Sequence, residues 1–582
     1  MTFFYVLIVF FAFSLIIVIH EFGHFAAGKL FGVRVEVFSI GIGKRLFGVK
    51  IGDTDYRVSA FPIGGYVAFA GISDTEGVKA TGAPDEFPSK PAWQRIVIAL
   101  AGPAMNLLSG FVLAVALFGW GVRFTSPVVG GVLPGSPAEE AGLRVGDRIL
   151  SIDGSIVNGF SDIRQDVALA DEGEPLAFEI VREGRKLTLY VAPRKGEGEP
   201  FPSVGITPPT SGELEKLTPE MEKAGFRPGD RIVAVNGREV DDFTAADVIH
   251  EAVSSSPGRE VVFTVLRDGK RVEVKVVPEP VYPRRLDAGI MPPIVRVTPG
   301  MPAAAAGIEP GDCILAVNGE RIETWGHLIE ALSATEGEVE VKVLRNGKEL
   351  SFCMTPREAP GGRKVIGIQR SEEEDYLVTW VKEGSLPWKA GLRPGVRAKH
   401  LEMSQDGMVK VALEDGSERS WRARKDESKP AVGWFPVTLT YRYETVKAAS
   451  FGEAVSRGFT DCMQIIKKTY LFLAKLVSAR ISPKLVSGPV GIVHISYRVL
   501  ELGLTVFLHF LVLISINLAV VNLLPLPILD GGNVVLFLVE WISGKPLDEK
   551  TQGLIIKVGL VLILGIFVLV TFNDISRLVF GF

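Results

Sequence analysis

Four uncharged apolar stretches constrain this chain more than any other feature: residues 3–19, 96–122, 502–529 and 558–572. Runs of about 20 apolar residues are long enough to cross a bilayer as helices. The fourth is short, but Lys557 ahead of it can snorkel to an interface and extend it. A wholly soluble chain is excluded, and 47% hydrophobic content excludes a disordered one. The first stretch has no basic residue before it and runs straight into HEFGHFAAGKL, so it reads as a retained helix rather than a cleaved leader. Lys29, Arg34, Lys44, Arg45 and Lys50 follow it against Glu36 alone, which predicts a first helix running from outside to cytoplasm. Residues 123–501 and both termini then lie outside. The basic stretch 457–498 runs against this, although segments attached to long translocated domains follow the charge rule poorly. A net charge of −4, from 63 basic and 67 acidic residues, gives no support to a nucleic-acid partner. Cys313, Cys353 and Cys462 show no CxxC spacing and so no sign of a cysteine zinc ribbon.

The middle of the chain repeats. AGLRVGD, AGFRPGD, AGIEPGD and AGLRPGV place Gly142, Gly225, Gly307 and Gly391 at spacings of 83, 82 and 84, the sign of tandem small domains. The first three continue into RILSIDG, RIVAVNG and CILAVNG, whose Asp-Gly and Asn-Gly pairs suit tight turns. A helical stretch, a two-strand hairpin and a Gly-Ile pair follow: Gly205-Ile206, Gly289-Ile290 and Gly367-Ile368. This pattern resembles the PDZ domain as bacterial envelope proteases carry it. The resemblance implies that backbone N–H groups beside the Gly-Ile strand can cradle a peptide C-terminus, with these six residues as peptide-binding candidates. A structural spacer or substrate filter accounts for the same sequence. The fourth copy has Val396 in place of Asp and no Asn-Gly turn, so it is expected to be degraded or differently folded. After it, Val455, Phe459, Cys462, Ile466, Tyr470, Leu473 and Val477 mark an amphipathic helix.

Chemistry concentrates where the first apolar stretch ends, in His20-Glu21-Phe22-Gly23-His24. Residues i and i+4 share a helix face, so two imidazoles can converge on one metal, with Glu21 beside them as the base that accepts a proton from water. An ionisable group at membrane depth costs on the order of 2–3 kcal/mol and is functional by default. A hydrolytic zinc wants three protein ligands and an open position. The best third ligand is Asp530, reached through Asn522, Pro525 and Pro527 after 28 uncharged residues. Prolines cannot continue a regular helix, and broken backbone at depth is tolerated only inside protein or beside water. Asp530 also suits the N-cap of the following helix. His250, His327, His400, His494 and His509 have no partner at ligand spacing, and His509 reads as a hydrogen-bonded packing group.

HEFGH, GPAMN (102–106), SGPVGI (487–492) and NLLPLPILDGG together resemble the site-2 protease family of intramembrane zinc metalloproteases, in its bacterial RseP-like branch with PDZ modules. The resemblance implies one zinc per chain on His20, His24 and Asp530, catalysis by Glu21, and substrate positioning by Asn522, Pro525 and Pro527. It implies a membrane-associated β-hairpin in the stretch from FSIGIGKRLF to YRVSAFPIGGYV. It also implies single-span substrates such as anti-sigma factors or signal-peptide remnants, an upstream site-1-type protease and a place in the bacterial inner membrane. Phe22, Ile42 and Asn533 depart from common family residues without removing a ligand. The expected fold is a polytopic α-helical membrane protein of about four spans carrying an inserted array of small α/β PDZ-like domains. Its expected parts are a membrane segment 1–124, PDZ-like modules 125–208, 209–293, 294–371 and 372–446, and a second membrane segment 447–582. The competing reading is a membrane-anchored peptide receptor with a vestigial metal site. A metal transporter is a weaker third, since the other spans carry few ionisable residues.

Overall fold

In hydrocarbon, every backbone amide must find its partner within the protein, so the apolar stretches fold as helices. The computed structural model describes residues 2–72, 81–195, 201–214, 217–281, 284–358, 364–370, 376–403, 408–425, 432–437, 439–545 and 549–580. They divide into two units, one of residues 1–124 with 445–582 and one of residues 125–444.

The first unit is built from α1 (Thr2–Leu30), β1 (Val35–Ile51), β2 (Thr54–Phe69), α2 (Ala92–Trp120), α3 (Phe451–Val477), α4 (Pro489–Glu501), α5 (Leu504–Asn522), α6 (Asp530–Ser543) and α7 (Glu549–Phe580). Among the described residues four helical segments are long and apolar enough to cross a membrane: Leu7–Leu30, Ala92–Trp120, Leu504–Asn522 and Gly553–Ser576. The stretch 502–529 is therefore not one helix. α5 ends at Asn522 and the chain turns through 523–529 into α6, because Pro525 and Pro527 have no N–H to extend the ladder. β1 and β2 form an antiparallel hairpin. Its base is anchored by Val33, Val35 and Phe69 on Phe87 and Ile98, while Ile42, Leu46, Phe47 and Phe61 stay exposed.

α3 forms as its periodicity predicts, with Ser450 accepting from Glu453 N–H at 3.2 Å and Glu453 accepting from Ala449 N–H at 2.8 Å. Its apolar stripe divides: Cys462 is buried and Ile466 and Leu473 pack on the core, whereas Phe459, Tyr470 and Val477 are exposed. Ala454, Gly458, Asp461 and Ile465 are buried beside Cys462. Small residues win this seam because α2 comes close: a Cβ on Gly458 would sit 3.0 Å from Val115. Asp461 meets His509 of α5 at 3.0 Å, the packing role expected of that histidine. Asp574 of α7, which the sequence reading passes over, is 2% exposed and accepts the N–H groups of Gly488 (3.0 Å) and Gly491 (2.7 Å). The glycines of SGPVGI thereby admit a carboxylate at the start of α4: a Cβ on Gly488 would lie 2.8 Å from its oxygen.

In the second unit three modules share one plan, a short strand, a central strand and a hairpin. Central strands Arg148–Ile152, Arg231–Val235 and Cys313–Val317 pair with the hairpin strands Leu176–Arg182, Val261–Arg267 and Val339–Arg345. Asp153, Asn236 and Asn318 take φ of 47°, 49° and 49°, the left-handed conformation that the Asp-Gly and Asn-Gly pairs predict. The repeated Asp has a single structural explanation. Asp147, Asp230 and Asp312 are at most 1% exposed, and each accepts two bonds of 2.7–2.8 Å from Arg182, Arg267 or Arg345. Each arginine also reaches the carbonyl of the repeated glycine, Gly142, Gly225 or Gly307, at 2.7–2.8 Å. Burial alone would raise the Asp230 carboxyl, but the Arg267 bonds hold it below its usual value. Val396 can make no such brace.

The fourth module differs. Its sheet runs Ala288–Met291, Tyr376–Val381, Arg397–Met403, Met408–Leu413 and Glu418–Arg422. The contiguous boundaries 209–293 and 372–446 thus need correction. Gly289 and Ile290 do not close the second module. Gly289 pairs with Trp380 and Ile290 with Val378, and Ile290 packs with Val409, Val411 and Trp421. The second module takes its closing strand from Thr440–Tyr441, paired with Thr210–Ser211, and packs Phe435, Val437 and Leu439 on its core. Glu279–Val281 pairs with Val432–Trp434 and Arg284–Arg285 with Arg424–Lys425. The pairings are nested like brackets around the third module. Local period cannot reveal this, because each strand looks the same whichever partner it meets.

Candidate metal centre

His20 and His24 stand one turn apart on α1, and the approach of α2 brings them into the interior. A Cβ on Gly23 would lie 2.2 Å from the carbonyl oxygen of Ala101, and one on Gly102 would lie 2.3 Å from His24 Nε2. Glycine at both positions is therefore a condition of the crossing, and it gives HEFGH and GPAMN a shared cause. Gly102→Ala is expected to weaken zinc binding by about 10–100-fold, the scale of outer-shell changes, because the methyl must displace both imidazoles. Gly119→Ala, on the same helix with open space around it, should leave metal content unchanged. Zinc per purified chain, measured by atomic emission across a chelator series, separates the two.

Asp530 is the first residue of α6, whose N-cap is Leu529 without a side-chain cap bond. Its carboxylate faces the histidines, with Oδ2 3.1 Å from His20 Nε2 and Oδ1 3.4 Å from His24 Nε2. The two Nε2 atoms are 3.2 Å apart. Within the described residues His20, His24 and Asp530 are the one group whose candidate ligand atoms gather, all within 4.8 Å. The turn that delivers Asp530 is tight: Cβ atoms on Gly531 and Gly532 would meet the carbonyls of Leu523 and Leu526 at 2.3 and 2.1 Å. Ile528 is held at φ 81°, a strained conformation for a β-branched residue, two positions before the carboxylate. Glu540, further along α6, pairs with Arg95 at the start of α2, and Arg95 lies over the Phe537 ring at 4.8 Å.

The residues present fit a zinc ion. An imidazole that offers Nε2 to a metal must carry its proton on Nδ1 and give it to an acceptor. His24 Nδ1 is 2.8 Å from the carbonyl of Ile98. His20 Nδ1 is 3.3 Å from Asn106 Nδ2, while Asn106 Oδ1 is buried without a partner. Turning that amide over gives Oδ1 the Nδ1 proton and satisfies both groups. The sequence alone gives Ile98 and Asn106 no role, although Asn106 ends the GPAMN motif. Asn522 Nδ2 comes within 3.4 Å of His20 Nε2. Pro527 packs on Gly559 of α7, whose Cβ would lie 2.4 Å away, and Pro525 is exposed, so neither is placed on the histidines. Glu21 points towards β2, where its Cγ lies 3.4 Å from where a Gly65 Cβ would be. In the second unit Ile206 pairs with Val132 and Ile368 with Val297.

Residues 8–566 match peptidase family M50. The chain is 28% identical over 564 residues to a Thermotoga maritima protein named as a zinc metalloprotease, covering 97% of each. It is 26% identical over 574 residues to protease RseP of Yersinia pestis, and 25% identical over 570 residues to the regulator of sigma-E protease RseP of Escherichia coli, again covering 97% of each. A match over nearly the whole chain, on top of a His–Glu–His–Asp centre among apolar helices, means that this chain belongs to peptidase family M50, the site-2 type of zinc metalloprotease.

Proposed function

We propose that the chain hydrolyses peptide bonds of single-span membrane proteins with one zinc ion held by His20, His24 and Asp530. The observation that carries this reading is the convergence of those three side chains within 4.8 Å, beside Glu21, on a helix apolar enough to span a membrane. Bound zinc supplies a Lewis acid that polarises the scissile carbonyl and makes water easier to deprotonate. Glu21 accepts that proton and passes it to the leaving amine. A helical substrate keeps its carbonyls bonded internally, so it must unwind before attack; pairing with residues 56–70 of the hairpin replaces the lost bonds. Asn522, within reach of His20, and the Pro525–Pro527 turn steer the unwound strand. The Escherichia coli relative is named for sigma-E regulation, which supports a reading in which the substrates are anti-sigma factors trimmed first by a site-1-type protease. The modules of residues 125–444, read as PDZ-like, serve on the outer side of the inner membrane as a substrate filter, and the metal lies near the cytoplasmic side.

Reconstitution tests the reading. Purified protein in liposomes is expected to cut a trimmed single-span substrate within its span, to stop with chelator and to recover with about one zinc per chain. Stoichiometric zinc without cleavage of any trimmed substrate would instead favour a peptide receptor.

A further inference from the structure

Peptide capture by a Gly-Ile strand requires a free strand edge and N–H groups open to a carboxylate. At Gly289-Ile290 both are already engaged, by a segment of this same chain. The Ile290 N–H donates to the carbonyl of Glu323 at 2.8 Å. The Glu323 carboxylate, 3% exposed, accepts the N–H groups of Leu286 at 2.8 Å and Asp287 at 3.3 Å. Asp287 has φ 57°, and a left-handed residue at such a turn points successive N–H groups into one anion-binding concavity. Arg285 Nη1 stands 3.9 Å from the same carboxylate. Residue 322 is fixed as well: the Trp380 indole N–H donates to the Ile322 carbonyl at 3.0 Å. The indole fits there because position 289 is glycine, where a Cβ would lie 2.4 Å from Trp380 Nε1.

Backbone on a strand edge and a carboxylate in a nest of N–H groups are two contacts that a peptide C-terminus makes, while the Ile322 side chain stays in the third module's own core. We propose that the fourth module carries a peptide-carboxylate site at Leu286–Ile290 whose ligand is the Ile322–Glu323 segment of the third module. The internal carboxylate closes this edge to outside peptides and clasps the third and fourth modules together. The ligand class the site would otherwise take is a peptide with a free terminal carboxylate. This inference stands on the module geometry alone and does not depend on the proteolytic reaction.

The test uses the full-length protein in detergent micelles, with amide exchange read by mass spectrometry and with acetate and acetamide as probes of the vacated nest. Glu323→Gln removes the charge and one acceptor, and Glu323→Ala vacates the nest. In both, exchange over 284–291 is expected to quicken at least about tenfold, the scale of one lost charge-assisted hydrogen bond. Protection of the third module's core strand, 339–345, should not change. The residue-323 backbone still holds the Ile290 N–H in Glu323→Ala, so only the nest is open: acetate should restore protection of 284–291 in that variant, acetamide should not, and neither should alter the parent protein. Unchanged exchange at 284–291, or equal rescue by acetate and acetamide, overturns the proposal. So does quickened exchange without acetate-selective rescue. Loss of protection at 339–345 would make Glu323 a core residue of the third module and overturn it as well.

Discussion

Glu21→Gln is expected to keep its zinc and to lose proteolysis by at least about 10²-fold, the lower end of general-base contributions. The substitution preserves volume and one acceptor oxygen but cannot take a proton from the attacking water. The side chain lies beside the gathered ligand set rather than in it, towards β2 at Gly65. Metal content and rate should therefore separate cleanly in this one variant. Zinc per chain and cleavage of a model span, measured on the same preparation, decide the point. Near-normal turnover would remove Glu21 from the mechanism, and loss of zinc would turn it into a ligand.

Asp530→Ala should do the opposite and empty the site. Two imidazoles alone leave a hydrolytic zinc one protein ligand short, so affinity should fall by more than about 10²-fold, beyond what outer-shell changes cost. The helix-cap reading predicts something else, a loss of about 1 kcal/mol of stability with metal retained. The geometry separates these, because Leu529 is the N-cap and Asp530 makes no cap bond. Metal retained at parental stoichiometry would take Asp530 out of the ligand set.

Much of the centre was legible because ionisable residues in apolar stretches are conspicuous. His20, Glu21 and His24 stand at the end of one such stretch, and Asp530 follows another through two prolines. The supporting groups were not legible. The Ile98 carbonyl is invisible to side-chain motifs, and Asn106 becomes meaningful only when α2 crosses α1 at Gly23 and Gly102. The repeats were legible for a similar reason, since AGxxxGD must be rewritten wherever the Asp–Arg brace is built. Strand partnership was not: Gly289-Ile290 has the same local form as Gly205-Ile206 and Gly367-Ile368, yet it pairs across to Tyr376–Val381. The amphipathic stripe of α3 was legible, but its close seam with α2 was not, because hydrophobicity marks the stripe that avoids water whereas close helix contact selects small residues such as Gly458.

The bracketed pairings also impose an order of birth. A chain emerging from its N-terminus can complete the first module once residue 207 is out and the third once residue 370 is out, since each pairs within its own stretch. The second cannot close until Thr440–Tyr441 arrives, and its sheet must wait with an open edge while two further modules are made. Long-range pairings of this kind are slow to form and leave strands exposed meanwhile. The last part of the array to be synthesised is therefore what seals one of the earliest. A break anywhere between residues 281 and 432 would leave the second module unsealed, although every residue before the break had been made correctly.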